Sequence, residues 1–428
     1  MIIFFFSIIL FFIIYGLYDF KKSFLTFAAV SMLLGPAYSI KYSPPAITCM
    51  FVLSIFYLIL FYAKGYNKRG VKERFFLKIP FVYMTLSFII STTFSTVDAG
   101  FSGWTGTINK ILTSYMLIYM FWKITEDRNE IHFFFKTICV VFTIVFIYGL
   151  FEFFKGDNPL LETITNSMPA DYAQNKIYLS DLTDVSRGGR ARCQSLFSIS
   201  ILYGIATMLF LFFFLQISKY KYFMNISKKV ILVVTLFVVF AQYACNSKTA
   251  IAALPVFIMP WMMRNKFMLF MDVLLIVIFL FFQENVINIV SVFIDLNAFN
   301  ADDNTVGGSS LYLRLLQFEA AFEHWGNSFF IGNGIRSGAI LSMKDTRLFG
   351  CESIWIRTAV EQGLLGLIAY FILIVSCLKQ ANKANDKWPI VFFILGFFVI
   401  CSITDIDYNL FFMLLIIMIK VDRMYTLT

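Results

Sequence analysis

Residues 133–154 read FFFKTICVVFTIVFIYGLFEFF. A bilayer-spanning helix takes about 20 mostly apolar residues, and this run supplies them. Working outward from it, runs of the same kind recur at 2–18, 24–40, 46–63, 79–95, 109–122, 193–217, 230–245, 249–263, 268–283, 355–377, 389–404 and 409–420. Together these are thirteen candidate spans in 428 residues. The pair around Asn246 and the last two are short, so one of them is open to being re-entrant or merged. The expected fold class is therefore all-α, a polytopic membrane protein with about 11 to 13 transmembrane helices. Composition agrees, with 59% apolar and only 14% charged residues, against roughly 25% charged in a soluble domain. Interior volume grows too slowly with chain length to hide so much apolar surface; lipid solvates it instead. Residues 2–18 have no basic residue ahead of them and no small-residue cleavage pattern before Asp19, so a retained span is expected there.

Orientation follows from where the basic residues fall. With the loops alternating, one side collects 22 of the 35 Lys and Arg, among them Lys21, Lys22, Lys64, Lys68, Lys219, Lys228, Lys379, Lys387 and Lys420. That side is expected to be the cytoplasm and to hold the C-terminus. The net charge of +9 is thus mostly a topology signal; it does not point to nucleic acid, and no nucleic-acid motif is present. The seven cysteines form no CxxC, and there are two histidines, so neither a disulfide framework nor a zinc set is expected. No cofactor is implied.

The chain reads as a single integral membrane domain, 1–428, with two long polar loops at 156–192 and 284–354 on the opposite, periplasmic side. Loops of that length in a compact protein are commonly functional. In the second, Ser309 and Ser310 offer a helix start before LYLRLLQFEAAFEHW, residues 311–325. Leu311, Leu315, Phe318 and Phe322 share one face of that helix, which suits the membrane surface. The helix is followed by IGNGIRSG, 331–338, a Gly-rich turn whose backbone amides are expected to approach a ligand.

The periplasmic side also holds seven of the twelve arginines: 187, 190, 192, 314, 336, 347 and 357. Only six lysines fall there, at 41, 110, 155, 176, 248 and 344. Arginine is favoured where a planar fork grips phosphate or carboxylate. Arg187, Arg190, Arg192 and Arg314 together suggest a diphosphate clamp at the outer membrane surface; lipid headgroups or the loops' own acids are the alternative partners. Arg357 and Glu361 lie four apart on one helix and are open to two readings: a simple pair, or charges that face a polar cavity because burial in lipid is costly. Asp405-Ile406-Asp407 is open to three readings: a divalent-cation site, an alternative base, or a solvated turn.

Four segments in order, RARCQSLFS (190–198), CNSKTAIAAL (245–254), YLRLLQFEAAFEHWGNSFFIGNGIRSG (312–338) and CESIWIRTAVEQGLLGLIAY (351–370), resemble the successive motifs of the bacterial O-antigen polymerase and O-antigen ligase superfamily. The resemblance covers roughly residues 187 to 370; each motif is loose alone. It implies a C-type membrane-glycosyltransferase-like fold in the bacterial inner (cytoplasmic) membrane, with the active site facing the periplasm in the loops 156–192 and 284–354. It implies a polyprenyl-diphosphate-linked oligosaccharide as donor, membrane lipid around it and a chain-length regulator as partner. Carried over, Arg192 and Arg314 would act catalytically on the diphosphate, with Glu352 as first candidate for the base that takes the acceptor hydroxyl's proton. Salt bridging to Arg336, Arg347 or Arg357 is the alternative role for Glu352. Arg187, Arg190, Lys248, Gly332, Asn333, Gly334 and Arg336 would bind substrate, and no metal is implied. Ligases resemble one another in a His where this chain has Glu352, and the Pro-Asn common after the first motif is absent, so a polymerase is expected ahead of a ligase. A transporter or flippase is the reading from another class; no internal repeat of the kind transporters show is visible. A reporter fused after Lys387 should report cytoplasm, and one inserted near Asn304 should report periplasm. The reverse pattern would put every arginine of the clamp in the wrong compartment.

Overall fold

A computed structural model of the protein describes residues 2–35, 38–41, 47–68, 74–97, 100–166, 186–187, 190–245, 253–254, 256–257, 259–260, 311–326, 328–348, 353–404 and 409–426. Helices dominate. α1 (Ile2–Tyr18) turns into α2 (Phe20–Val30) at Asp19, whose carboxylate accepts from the Lys22 amide at 3.1 Å and caps the second helix. A small antiparallel hairpin, β1 (Ser39–Lys41) and β2 (Ile47–Thr48), leads into α3 (Cys49–Ala63), capped by Thr48. Next come α4 (Lys78–Thr93), α5 (Gly100–Lys110), a π-helical stretch Ile111–Met116 and α6 (Leu117–Ile124). α7 (Arg128–Lys155) ends at Gly156 in the left-handed conformation, and the short α8 (Pro159–Asn166) follows. A second two-stranded piece, β3 (Ser186–Arg187) with β4 (Arg190–Ala191), precedes α9 (Ser200–Ser218) and α10 (Lys228–Cys245). The remainder is α11 (Leu311–Gly326), α12 (Ser337–Lys344), α13 (Ile354–Ala381), α14 (Lys387–Ile403) and α15 (Asn409–Thr426).

Four of these, α7, α9, α10 and α13, are long and apolar enough to cross a membrane, and α1, α3 and α14 are shorter apolar helices. Burial separates inner from outer helices. In α9, 83% of the apolar window is buried, against 22% in α10. α15 is lined by protein along almost its whole length, from Phe411 to Val421. On α7 the exposed residues Val140, Ile144, Ile147, Phe151 and Phe154 follow helical spacing and make one apolar stripe. A stripe of that size would be a liability in water and is ordinary against hydrocarbon chains. The chain is an all-α membrane protein.

Successive helices run between two ends. At one end the basic loops meet: Lys21 pairs with Glu130, Arg128 donates to the Tyr222 carbonyl, and Lys219 pairs with Asp386 at 3.3 Å. The Asp422 carboxylate accepts there from the amides of Asn385 and Asp386, at 2.7 and 3.1 Å. Three expected spans are corrected. The run 24–40 is helical only to Val30 and then turns into β1. The run 109–122 joins Gly100–Lys110 in one longer helical path; the Thr113 carbonyl in its π stretch accepts from Asn409 Nδ2 at 2.9 Å. The run 193–217 becomes helical only at Ser200, because the amides of Cys193, Gln194 and Ser195 bond to neighbouring helices. The run 268–283 and most of 249–263 lie outside the described residues.

α13 is broken at Gly363, which has φ 63° and ψ −154°, a conformation essentially reserved for glycine. The break frees two carbonyls and two amides. The Val360 and Glu361 carbonyls accept from the Asn333 and Gly334 amides at 2.8 and 3.0 Å. The Leu364 and Leu365 amides donate to the Phe329 and Phe330 carbonyls at 2.9 and 3.0 Å. A Cβ on Gly363 would lie 2.5 Å from the Gly332 nitrogen and 2.7 Å from the Phe329 oxygen. Gly363→Ala should therefore lower the detergent-solubilised protein's midpoint of thermal unfolding far more than Gly65→Ala. Gly65 also has positive φ but nothing within 4 Å, so its replacement should cost only about 1 kcal/mol. Equal effects of the two substitutions would mean the seam at Gly363 is not needed for stability.

Candidate functional site

The turn IGNGIRSG (331–338) lies in that break. Gly332 and Gly334 hold positive φ, and a Cβ on Gly332 would sit 2.4 Å from the Gln362 nitrogen. A Cβ on Gly334 would sit 2.2 Å from Ser95 Oγ. The glycines allow backbone to meet backbone. Asn333 is buried with its side chain fully engaged: Nδ2 donates to the His324 and Val360 carbonyls, both at 3.1 Å, and Oδ1 accepts from Thr96 at 2.7 Å. From the sequence these amides are expected to face a ligand. Instead Gly332 donates to Ser328, Asn333 and Gly334 donate to α13, and Arg336 donates to Glu361 Oε1 at 3.1 Å. The reason is the broken helix, whose unpaired carbonyls need donors more than a solvated ligand would.

The Arg336 side chain takes another path. Its residue holds φ 68°, and its Nε lies 3.0 Å from where a Cβ on Gly106 of α5 would stand. It lines a cavity of about 250 Å³ together with Asn109, Lys110, Arg357, Glu361 and Tyr370. Glu361 is buried, and its second oxygen is 3.4 Å from Arg357 Nε, which is the pair expected from their spacing. Behind it, Ser87 Oγ donates to Gln362 Oε1 at 2.8 Å. Among the described residues, three cationic side chains and a single carboxylate line this space. Such a site suits a multiply charged anion. Lys110 was not singled out from the sequence as a binding residue. Its signal is a lysine at the head of a span, on the side where arginine predominates.

Arg347 serves differently. Its guanidinium grips Glu323 and Asp345, with Nη2–Oε2 at 2.5 Å and Nη2–Oδ2 at 2.9 Å, and Asp345 also faces His324 Nε2 at 3.2 Å. The cluster ties the end of α11 to the turn after α12. Beside it, Ala320, Ala321, Leu341, Leu348, Ile356 and Val360 make a small separate core. The other side of α11 and the turn after it are exposed: Phe318 and Phe322 of the helix and Phe329 and Phe330 of the turn point outward, with Trp325 stacked on Phe329 at 4.9 Å. Aromatic rings of this sort favour the membrane–water interface.

Arg192 belongs to a second corner, made by α7, α9 and α10. Its Nε donates to the Cys245 carbonyl at the end of α10, at 3.2 Å, and the Cys193 amide reaches the Ala244 carbonyl at 3.0 Å. A cation at a helix C-terminus is well placed. The buried Glu152 carboxylate of α7 accepts from the Gln194 and Ser195 amides and from Cys193 Sγ, and so fixes the segment that carries Arg192. Arg187 and Arg190 stand in β3 and β4 and Arg314 in α11, their side chains outside the described residues. Lys248, Glu352, Asp405 and Asp407 lie outside them altogether. Of the expected site, the structure gathers Gly332, Asn333, Gly334 and Arg336, and adds Lys110, Arg357 and Glu361. No group of metal-ligating side chains occurs among the described residues. Compared with known proteins, the chain matches no family model and no curated protein.

The hydrogen bonds from Arg347 hold the Asp345 carboxyl down at about 2. A carboxylate with a depressed folded-state value stabilises the fold above its unfolded value, near 3.9, and loses that contribution as pH falls toward the folded one. Amide exchange over residues 311–326 and 337–348, corrected for intrinsic rates, should stay protected from pH 7 to about 4. It should loosen as pH falls from about 4 toward 2, and Asp345→Asn should weaken this pH dependence, leaving the part carried by Glu323, whose carboxyl the same guanidinium also holds down. Protection lost already near pH 6, or kept unchanged at pH 2, would contradict the assignment.

Proposed function

We propose that the chain is a membrane glycosyltransferase of the polysaccharide-polymerase kind. It would span the bacterial inner membrane about 11 to 13 times. It would work at the periplasmic face, where it transfers a growing glycan from polyprenyl diphosphate onto a new lipid-linked repeat unit. The observation that carries this reading is the cavity lined by Lys110, Arg336 and Arg357 around one buried carboxylate. It lies at the bundle end away from the basic loops, where two of the four ordered motifs, 312–338 and 351–370, meet. In the reaction the acceptor hydroxyl oxygen bonds to the anomeric carbon. The bond from that carbon to the phosphate oxygen breaks, and the diphosphate leaves with the electron pair. Negative charge grows on the diphosphate, and cations already fixed in a low-dielectric site stabilise it without reorganising.

The acceptor hydroxyl must also give up its proton. Glu361 is poorly suited to take it, since one oxygen holds the Arg336 amide and the other faces Arg357. It acts here as a positioning residue that aims two arginines. Glu352 remains the first candidate base, with Asp405 or Asp407 as alternatives. Arg192, Arg314, Arg187, Arg190 and Lys248 remain candidate contacts for the donor. Transfer of a finished glycan to lipid A-core, the ligase reaction, uses the same donor chemistry and differs in acceptor. A transporter would find support in the broken α13, because interrupted helices bind cargo. Here the break is filled by backbone from residues 329–334, so its carbonyls and amides are already satisfied.

Purified protein in lipid, given a polyprenyl-diphosphate-linked repeat unit, should build a ladder of longer lipid-linked glycans that survives chelator. Arg336→Ala or Arg357→Ala should slow extension by about 10²–10³-fold at normal abundance, as loss of one fixed donor typically does. Lysine at either position should rescue only in part. Arg347→Ala should lower stability and leave the rate per folded molecule nearly unchanged. Full activity of both alanine variants at the cavity would remove the proposed diphosphate site, and a ladder restored only by Mn²⁺ would move attention to Asp405 and Asp407.

A further inference from the structure

Next to the cationic cavity lies a second, larger one of about 420 Å³, with a different chemistry. Its wall is made by the end of α4 and the start of α5: Thr92, Thr93, Ser95, Thr96 and Trp104, with Gly100 and Gly103 beside them. Ile335 borders both cavities, so an occupant of one lies a single side chain away from an occupant of the other. No Lys, Arg, Asp or Glu is among the described residues that line it.

The direction of the hydroxyl protons decides what this groove offers. Thr93 Oγ1 donates to the Ile89 carbonyl at 2.7 Å, Ser95 Oγ to the Asn333 carbonyl at 2.5 Å, and Thr96 Oγ1 to Asn333 Oδ1 at 2.7 Å. Each proton is directed into the protein; Thr96 Oγ1 also accepts from Ser328 Oγ at 3.5 Å, and the remaining lone pairs are left for a ligand. These three hydroxyls accept hydrogen bonds from O–H groups, while their own protons are already committed. Trp104 is 39% exposed at the edge of this wall and supplies a flat apolar face. One face that accepts many O–H donors and one flat apolar face together match a pyranose, which carries hydroxyls at its rim and C–H groups on its ring face.

We infer that this groove is a saccharide subsite, with Trp104 as its stacking platform and the Thr93–Thr96 hydroxyls as its acceptors. This deepens the proposed function and rests on it for the identity of the neighbour: the sugar sits here while the diphosphate sits beyond Ile335. The occupant is a neutral or weakly charged sugar ring.

The test keeps the two sites apart. The full chain in lipid nanodiscs is titrated with a panel of free sugars: glucose, galactose, mannose, rhamnose, N-acetylglucosamine and maltose. Binding is read by saturation-transfer difference NMR, with inorganic pyrophosphate titrated in parallel by calorimetry. At least one sugar should bind in the millimolar range. Trp104→Ala should weaken it at least tenfold, while Trp104→Phe keeps most of the binding and Thr93→Val weakens it severalfold. Pyrophosphate affinity should stay within twofold in all three variants. Absence of binding by every sugar in the panel, or equal binding by wild type and Trp104→Ala, overturns the saccharide subsite. Sugar binding that depends on Trp104 while pyrophosphate ignores Arg336→Ala would keep the subsite and remove the diphosphate cavity beside it.

Discussion

One exchange of backbone hydrogen bonds organises the candidate site. α13 gives up its own ladder at Gly363, and the segment 329–334 completes it from outside with two donors and two acceptors. In a medium without water each orphaned backbone group costs several kcal/mol, so the break and the turn depend on each other. Other features of the site go with this seam being closed: the positive φ of Gly332, Gly334 and Arg336, the buried Asn333, and the entry of Ser95 and Thr96, just after α4, into the same network.

The seam also distributes charge. Because the Arg336 amide is spent on Glu361, its guanidinium is turned toward α5, where Gly106 leaves room for it. Glu361 divides its two oxygens between that amide and Arg357. A buried carboxylate would be costly if unpaired; here it is matched by the Arg357 guanidinium and the Arg336 amide. The Arg347 cluster has the opposite character. Its cation is enclosed by Glu323 and Asp345, which makes it a fastening between α11 and the turn after α12. Arginines that look alike in the sequence thus divide into a site-lining pair, a fastening and, at Arg192, a helix cap.

Two corners of the bundle end carry arginine. One is the α4–α5–α13 corner with its paired cavities. The other is the α7–α9–α10 corner, where Glu152 anchors the strand of chain around Arg192. Under the proposed function the substrate is long and amphipathic, with a diphosphate between tail and sugars, and two polar corners would suit a donor and an acceptor of that kind. The exposed aromatic face of Phe318, Phe322 and Phe330 supplies an interfacial rim beside the first corner.

The sequence by itself determined the class of the protein and much of its helix plan. Apolar runs such as 133–154 announce their own environment, because hydrophobicity and length are additive along the chain and need no partner to be read. The helix from Leu311, the Arg357–Glu361 pair and the Gly-rich turn were legible for the same reason, being local in spacing. Only the tertiary structure decided what those pieces do. That the turn's amides bond α13, that Lys110 stands across from Arg336, and that Arg347 is consumed by acids are facts about residues far apart in the chain. A guanidinium's role is set by which charge lies within a few ångströms of it, and a linear sequence carries no such distance. Gly363 shows the limit most plainly. From sequence it is one glycine in EQGLLG, a tolerable residue in a membrane helix; its φ of 63° exists only because residues some thirty positions earlier supply the hydrogen bonds that the helix lost there.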